Sequence, residues 1–161
     1  MALKPDREVW AWDINHFMPE TGTAGGVVMA TGSASGASMD QSTNMCHYAP
    51  DPSGRTPLGV LDANVVNIDL TRQPLNPFKA EAQVNDKVPL IVKGWVTTNF
   101  VATGGSAISV GDPAYALGSG YMGNEAGVNS QNPHVGFFQS AIDEDGYYLV
   151  QVDIRGGKFT S

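Results

Sequence analysis

No window of eleven or more residues in this chain brings apolar side chains back at intervals of three and four, the recurrence by which a helix buries one face. Helices are therefore expected to be absent or short. The apolar residues gather instead in brief runs broken by Gly, Pro, Asn and Asp, at spacings of about 10 to 15 residues. That rhythm fits a mainly β protein, a small sandwich or a partly closed barrel. Nineteen Gly and ten Pro, with only 16% charged side chains, agree with a turn-rich chain. At 161 residues and 42% hydrophobic, one core is expected.

Along the chain, strands are expected at residues 7–14, 26–30, 58–62, 65–70, 88–98, 107–110, 113–117, 135–142 and 147–154. In the first of these, Trp10, Trp12 and Ile14 share one side of an extended segment, with Arg7, Val9, Ala11 and Asp13 on the other. Core packing is the first reading of the indole side and a partner-docking patch the second. Val88 to Thr98 is the clearest strand, with Val88, Leu90, Val92 and Val96 alternating against Pro89, Lys93 and Thr97. Gly94 in its middle suggests a bulge or a close backbone approach. The last two strands flank Asp143-Glu144-Asp145-Gly146 and form the clearest hairpin, with Tyr148, Val150, Val152 and Ile154 along one face.

Residues 21–44 shift to Gly, Ala, Ser, Thr and Met, a composition that buries too little surface to offset its ordering entropy. The chain therefore divides, as an expectation, into an extended Gly-rich N-terminal arm or loop region over 1–50 and a β-rich domain over 51–161, the alternative being that Trp10 and Trp12 belong to an edge strand of the same barrel and only 21–44 is loose. The turn Asp51-Pro52-Ser53-Gly54 marks the boundary. Fully extended, 24 residues can span up to about 80 Å, so such an arm could order against a partner.

The chemistry-bearing residues do not assemble into a motif. His16, His47 and His134 are scattered, and Cys46-His47 is a single adjacent pair, whereas a structural zinc site needs separated ligands and a second pair. Asp143, Glu144 and Asp145 lack the alternate spacing and closing Glu of a calcium loop. Neither Gly25-Gly26 nor Gly32 to Gly36 has the following Lys of a phosphate loop, and no Gly-x-Ser-x-Gly elbow is present. No catalytic residue, cofactor or metal is expected, and the chain reads as non-enzymatic.

A formal charge of −7 disfavours tracking a phosphate backbone, so nucleic acid is a poor partner. The longest aliphatic stretch, Val88 to Val92, is far short of a membrane span, so no membrane partner is expected. No apolar leader follows Met1, so use without secretion is expected. With Cys46 the only cysteine, no intrachain disulfide can form.

Three stretches together resemble a known family: Gly59-Val60-Leu61, Val65 through Gln73, and Lys87-Val88 through Gly94-Trp95-Val96-Thr97-Thr98-Asn99. Val110-Gly111-Asp112-Pro113-Ala114-Tyr115, Val135-Gly136, Asp145-Gly146-Tyr147 and Val150-Gln151-Val152 extend the likeness toward the C-terminus. Over residues 58–154 the chain is similar to the capsid decoration, or cement, proteins of tailed bacteriophages. The resemblance implies a β-rich virion structural protein on the outer capsid surface, a homotrimer that bridges major capsid protein subunits. Trp10, Trp12, Phe17 and Arg72 are the candidate interface residues under that reading. A tail, baseplate or fibre component is the alternative, followed by a carbohydrate-binding module stacking sugars on Trp10, Trp12, Trp95 or Tyr147.

Overall fold

The run Leu-Ile-Val-Lys-Gly-Trp-Val-Thr-Thr, rich in β-branched and aromatic residues, makes the nine-residue strand on which the rest of the sheet is built. The computed structural model describes residues 2–31, 44–67, 81–104, 106–127 and 131–154. In chain order their strands are β1 (Glu8–Asp13), β2 (Val27–Thr31), β3 (Met45–His47), β4 (Pro57–Leu61), β5 (Asn64–Val66), β6 (Glu81–Gln83), β7 (Leu90–Thr98), β8 (Pro113–Ala116), β9 (Met122–Gly123), β10 (His134–Phe138) and β11 (Tyr148–Asp153). The main sheet runs β3-β2-β4-β7-β11-β10-β8-β9, with β1 added beside β7, and it curls into half a barrel. β5 and β6 form a separate parallel pair. The fold is mainly β, and among the described residues its only helical element is a 3-10 turn at Gly118–Gly120.

Strand β7 has both of its edges filled. Lys93, Gly94 and Trp95 pair with β1 and with β11 at once, while Leu90 and Ile91 pair with β1 and with β4. Each residue has only two edges, so β1 lies along one side of β7 while β4 and β11 share the other, end to end. Ahead of β1 the chain continues along β7: Leu3 bridges Thr98, and Lys4 N–H donates to Thr97 O.

Side chains fill two cores. The larger gathers Val27, Met29, Val60, Ile91, Val96, Met122, Val135, Phe138, Val150 and Val152 inside the curl. The smaller holds Met18, Val28, Cys46, Leu61, Val65, Val88 and Leu90. Val28 faces away from Val27 and Met29, and Leu61 away from Val60, so β2 and β4 are buried on both faces. Ile91 and Val96, an odd number of residues apart, enter the same core, so the facing of β7 reverses once between them. The alternating set expected to share a face is therefore split, with Leu90 in the smaller core and Val96 in the larger.

Several expectations need correction. The boundary at residue 50 does not separate an arm from a domain in the described residues, because β1, β2 and β3 are strands of the main sheet. Val27, Val28 and Met29 compensate for their Gly-rich surroundings by being almost wholly buried. Residues 32–43 of the Gly-rich stretch lie outside the described residues, as do 68–70 of the strand expected at 65–70. Ala107 to Val110 is not a strand: Asp112 Oδ2 accepts from Ser109 N–H at 2.9 Å and folds the segment into a turn. β10 ends at Phe138 rather than Ile142.

The connection into β11 is organised by one carboxylate. Asp143 accepts from the backbone N–H of Tyr147 at 2.7 Å and of Asp145 at 2.9 Å, and Lys4 Nζ lies 3.3 Å from its other oxygen. The Tyr147 N–H, helped by Lys4 and the Asp145 N–H, holds the Asp143 carboxyl below its ordinary range. The depressed native pKa means that the stabilisation is complete above the unfolded value near 3.8 and is lost as pH falls through the native one. At neutral pH Asp143→Ala should melt at a lower temperature than wild type, and the gap should close in melts carried into strong acid. A gap independent of pH would show that the carboxylate charge is not what organises the loop.

Candidate docking surface

Strand β1 leaves three large apolar side chains in solvent: Trp10 is 48% exposed, Trp12 59% and, just beyond the strand, Ile14 60%. The sequence reading that put the indoles in the core is corrected, because Val9 is the β1 residue packed against the larger core. Pairing with β7 slips between Val9 and Ala11, leaving Trp10 without a register partner, and slips again before Trp12. A bulged residue is re-aimed relative to a regular pleat. Here the backbones approach so closely that a Cβ on Gly94 would stand 2.2 Å from Glu8 O.

Both indoles are held by their own chain. Trp10 Nε1 donates to Glu8 Oε1 at 2.7 Å, and Lys93 Nζ lies 5.7 Å from the ring centroid. Trp12 Nε1 donates to Asp62 Oδ2 at 3.0 Å, while Arg7 Nε stands 2.9 Å from Asp62 Oδ1. With the N–H donors occupied, the indoles offer apolar ring surface to a partner, in orientations fixed before contact.

The neighbouring sheet surface continues the aromatic character. Trp95 pairs with Gln151, and Gln151 with Phe137, which is exposed. Phe137 packs edge-on against His134 at 5.0 Å, and His134 against Tyr115 at 5.5 Å. Partial burial lowers the His134 pKa.

Of the other candidate residues, Phe17 is half-buried and sits elsewhere. Its backbone bridges Met45 and Lys87, and Lys87 Nζ lies 5.6 Å from its ring. Arg72 lies outside the described residues. Sequence reasoning missed Lys93, Asp62 and Phe137. The Phe137-Phe138 pair carried a usable signal, since adjacent residues of one strand must face opposite ways.

Of the groups considered for catalysis, Cys46 is buried in the smaller core. Burial, with the charges of Glu20 and Asp13, pushes the Cys46 thiol up to about 12, leaving it protonated at neutral pH. Among the described residues no three His, Cys, Asp or Glu side chains converge as metal ligands. No protein-family model matches this chain, and no curated protein matches it in sequence.

Proposed function

We propose that this chain is a non-enzymatic virion structural protein, a decoration or cement protein that docks on the outer capsid surface of a tailed bacteriophage and bridges major capsid protein subunits as a homotrimer. One observation carries the reading: Trp10 and Trp12 stand exposed on one edge strand, each indole N–H held by a carboxylate of its own chain, where the core has no use for them. The resemblance over residues 58–154 and the charge of −7, suited to the exterior of a DNA-filled shell, support it.

Magnitudes define what such docking requires. Two indoles already about half covered can bury only about 150 to 250 Å² more on docking, far below the roughly 800 Å² per partner of a standard interface. Trp95, Phe137 and their neighbours would have to join the contact, or several subunits of one oligomer bind together so that avidity supplies the difference. A protein that binds only the assembled shell stabilises it in proportion to affinity and occupancy.

The test begins with labelled protein imaged on phage particles. Hundreds of copies over the head are expected, and a few tens at the tail would favour a tail component instead. Heads stripped of the protein should rupture at lower temperature and recover when it is added back. The Trp10→Ala/Trp12→Ala double variant should keep its thermal midpoint within a few degrees while losing at least ~100-fold in shell affinity, as removal of paired aromatic anchors does. No head binding together with unchanged heat resistance would overturn the proposal.

A further inference from the structure

Apart from the stripe, a shallow open groove of about 450 Å³ is lined by Thr21, Gly22, Thr23, Tyr48, Asn64, Val65, Val66 and Phe100. Tyr48 is one of its two aromatic lining residues, and its ring is boxed in by three glycines. A Cβ on Gly120 would stand 2.6 Å from that ring, one on Gly26 2.9 Å and one on Gly22 3.1 Å. The Tyr48 hydroxyl donates to Thr23 O at 2.5 Å and accepts from Gly26 N–H at 3.2 Å, so the ring is held at its tip as well. Phe100 packs on Tyr48 at 5.6 Å, and half-exposed Tyr121 on Phe100 at 5.2 Å, so three rings succeed one another.

Nothing in the lining carries a formal charge, although the chain as a whole is strongly acidic. Asn64 spends Oδ1 on the Ala24 N–H at 2.8 Å and retains its amide donors. Thr21 and Thr23 share the lining with it. A ligand matching this groove needs a flat apolar face for the rings, hydroxyls or amides for Asn64 and the threonines, no net charge, and a size within the ordinary range for small-molecule sites. Pyranose sugars combine those features, because their axial C–H bonds form an apolar face and their rim is hydroxylated. An open groove admits an internal stretch of a chain as readily as its end.

We infer that the Tyr48–Phe100 groove is a binding site for a neutral oligosaccharide, distinct from the β1 stripe and independent of the proposed shell docking. It is read separately from capsid binding, so either proposal can fail alone.

The full-length protein is titrated by isotope-edited NMR with cellotriose, maltotriose, galactobiose and N-acetylchitotriose, and with galacturonic acid trimer as the anionic comparison. At least one neutral sugar should bind with millimolar or tighter affinity and shift the resonances of Thr21, Asn64 and Phe100. Phe100→Ala and Asn64→Ala should each weaken that binding at least tenfold. Phe100→Tyr keeps the ring and should bind nearly as wild type, which separates loss of stacking from loss of fold; thermal melts check that every variant is folded. Trp10→Ala/Trp12→Ala should bind the sugar unchanged. Absence of binding to all the neutral sugars, preference for the anionic trimer, or loss of binding through the Trp variant alone would each overturn the inference.

Discussion

Replacing Gly94 by valine strips β1 from the edge of β7 and lowers stability by about 3 kcal/mol or more, in the range of combined overpacking and backbone strain. The first atoms a Cβ would meet are Glu8 O at 2.2 Å, Val9 Cα at 3.0 Å and Glu8 C at 3.2 Å, all backbone. No rotamer change relieves such contacts, so the strand itself must move. Gly94 also has φ of +151°, a conformation that side-chain-bearing residues rarely adopt. Because β1 carries Trp10 and Trp12, the same substitution should disorder the aromatic stripe and abolish shell docking. Gly146→Ala is the control: its φ is +85°, but nothing lies within 4 Å of the added carbon, so only about 1 kcal/mol is expected. Urea titration followed by Trp fluorescence measures both. A Gly94→Val protein within about 0.5 kcal/mol of wild type would mean that β1 is not tightly held.

Gly94 also marks how far the sequence could be read. A glycine inside an apolar alternation announces a bulge or close approach, and the close approach is present. Which neighbour approaches is a property of long-range pairing, and residue 8 is 86 positions away. The strands that were legible carry their own signal: Tyr148, Val150 and Val152 at alternate positions in β11, or the continuous apolar run that enters β7. β3, β6 and β9 are two or three residues long and lack any such pattern. They exist because the sheet supplies partners, as when Met45, Cys46 and His47 pair with Thr31, Ala30 and Met29. The described part of the segment expected as an arm contributes three strands to the main sheet, for a related reason. Composition counts what a segment could bury alone, whereas Val27, Val28 and Met29 are covered by β3, β4 and the two cores.

The docking surface was half legible. Residue type and period singled out Trp10, Trp12 and Ile14, but a period shows neither the two register slips that fall between Val9 and Trp12 nor which side faces water. That was settled by Val9, a smaller residue, taking the inward position. The clamps on the indoles were invisible in sequence, since Asp62 is 50 residues from Trp12 and Lys93 is 83 from Trp10. The groove was harder still. Glycines 22 and 120 look like loop residues, and Gly26 like the start of a strand, until the Tyr48 ring is seen between them.

Phe138→Ala should cost about 3 to 5 kcal/mol, whereas Phe137→Ala, one residue earlier, should cost less than about 1. Phe138 is fully buried in the larger core, pairs with Val150 and meets the Tyr148 ring edge-on at 5.8 Å. Truncation there removes transfer free energy and leaves a cavity walled by strands whose backbones are fixed by the sheet. For a chain of this length each kcal/mol moves the thermal midpoint by roughly 2 to 4 °C, so a fall of about 6 to 20 °C is expected. Phe137 is 46% exposed and touches His134 at 5.0 Å, so its loss removes one ring contact and little burial. The pair therefore separates stability from docking on a single strand. Phe137→Ala should melt close to wild type yet bind the shell more weakly if the sheet face shares the contact with β1. Equal destabilisation by the two variants would place Phe137 in a second packed layer, and undiminished shell binding by Phe137→Ala would confine docking to the β1 edge.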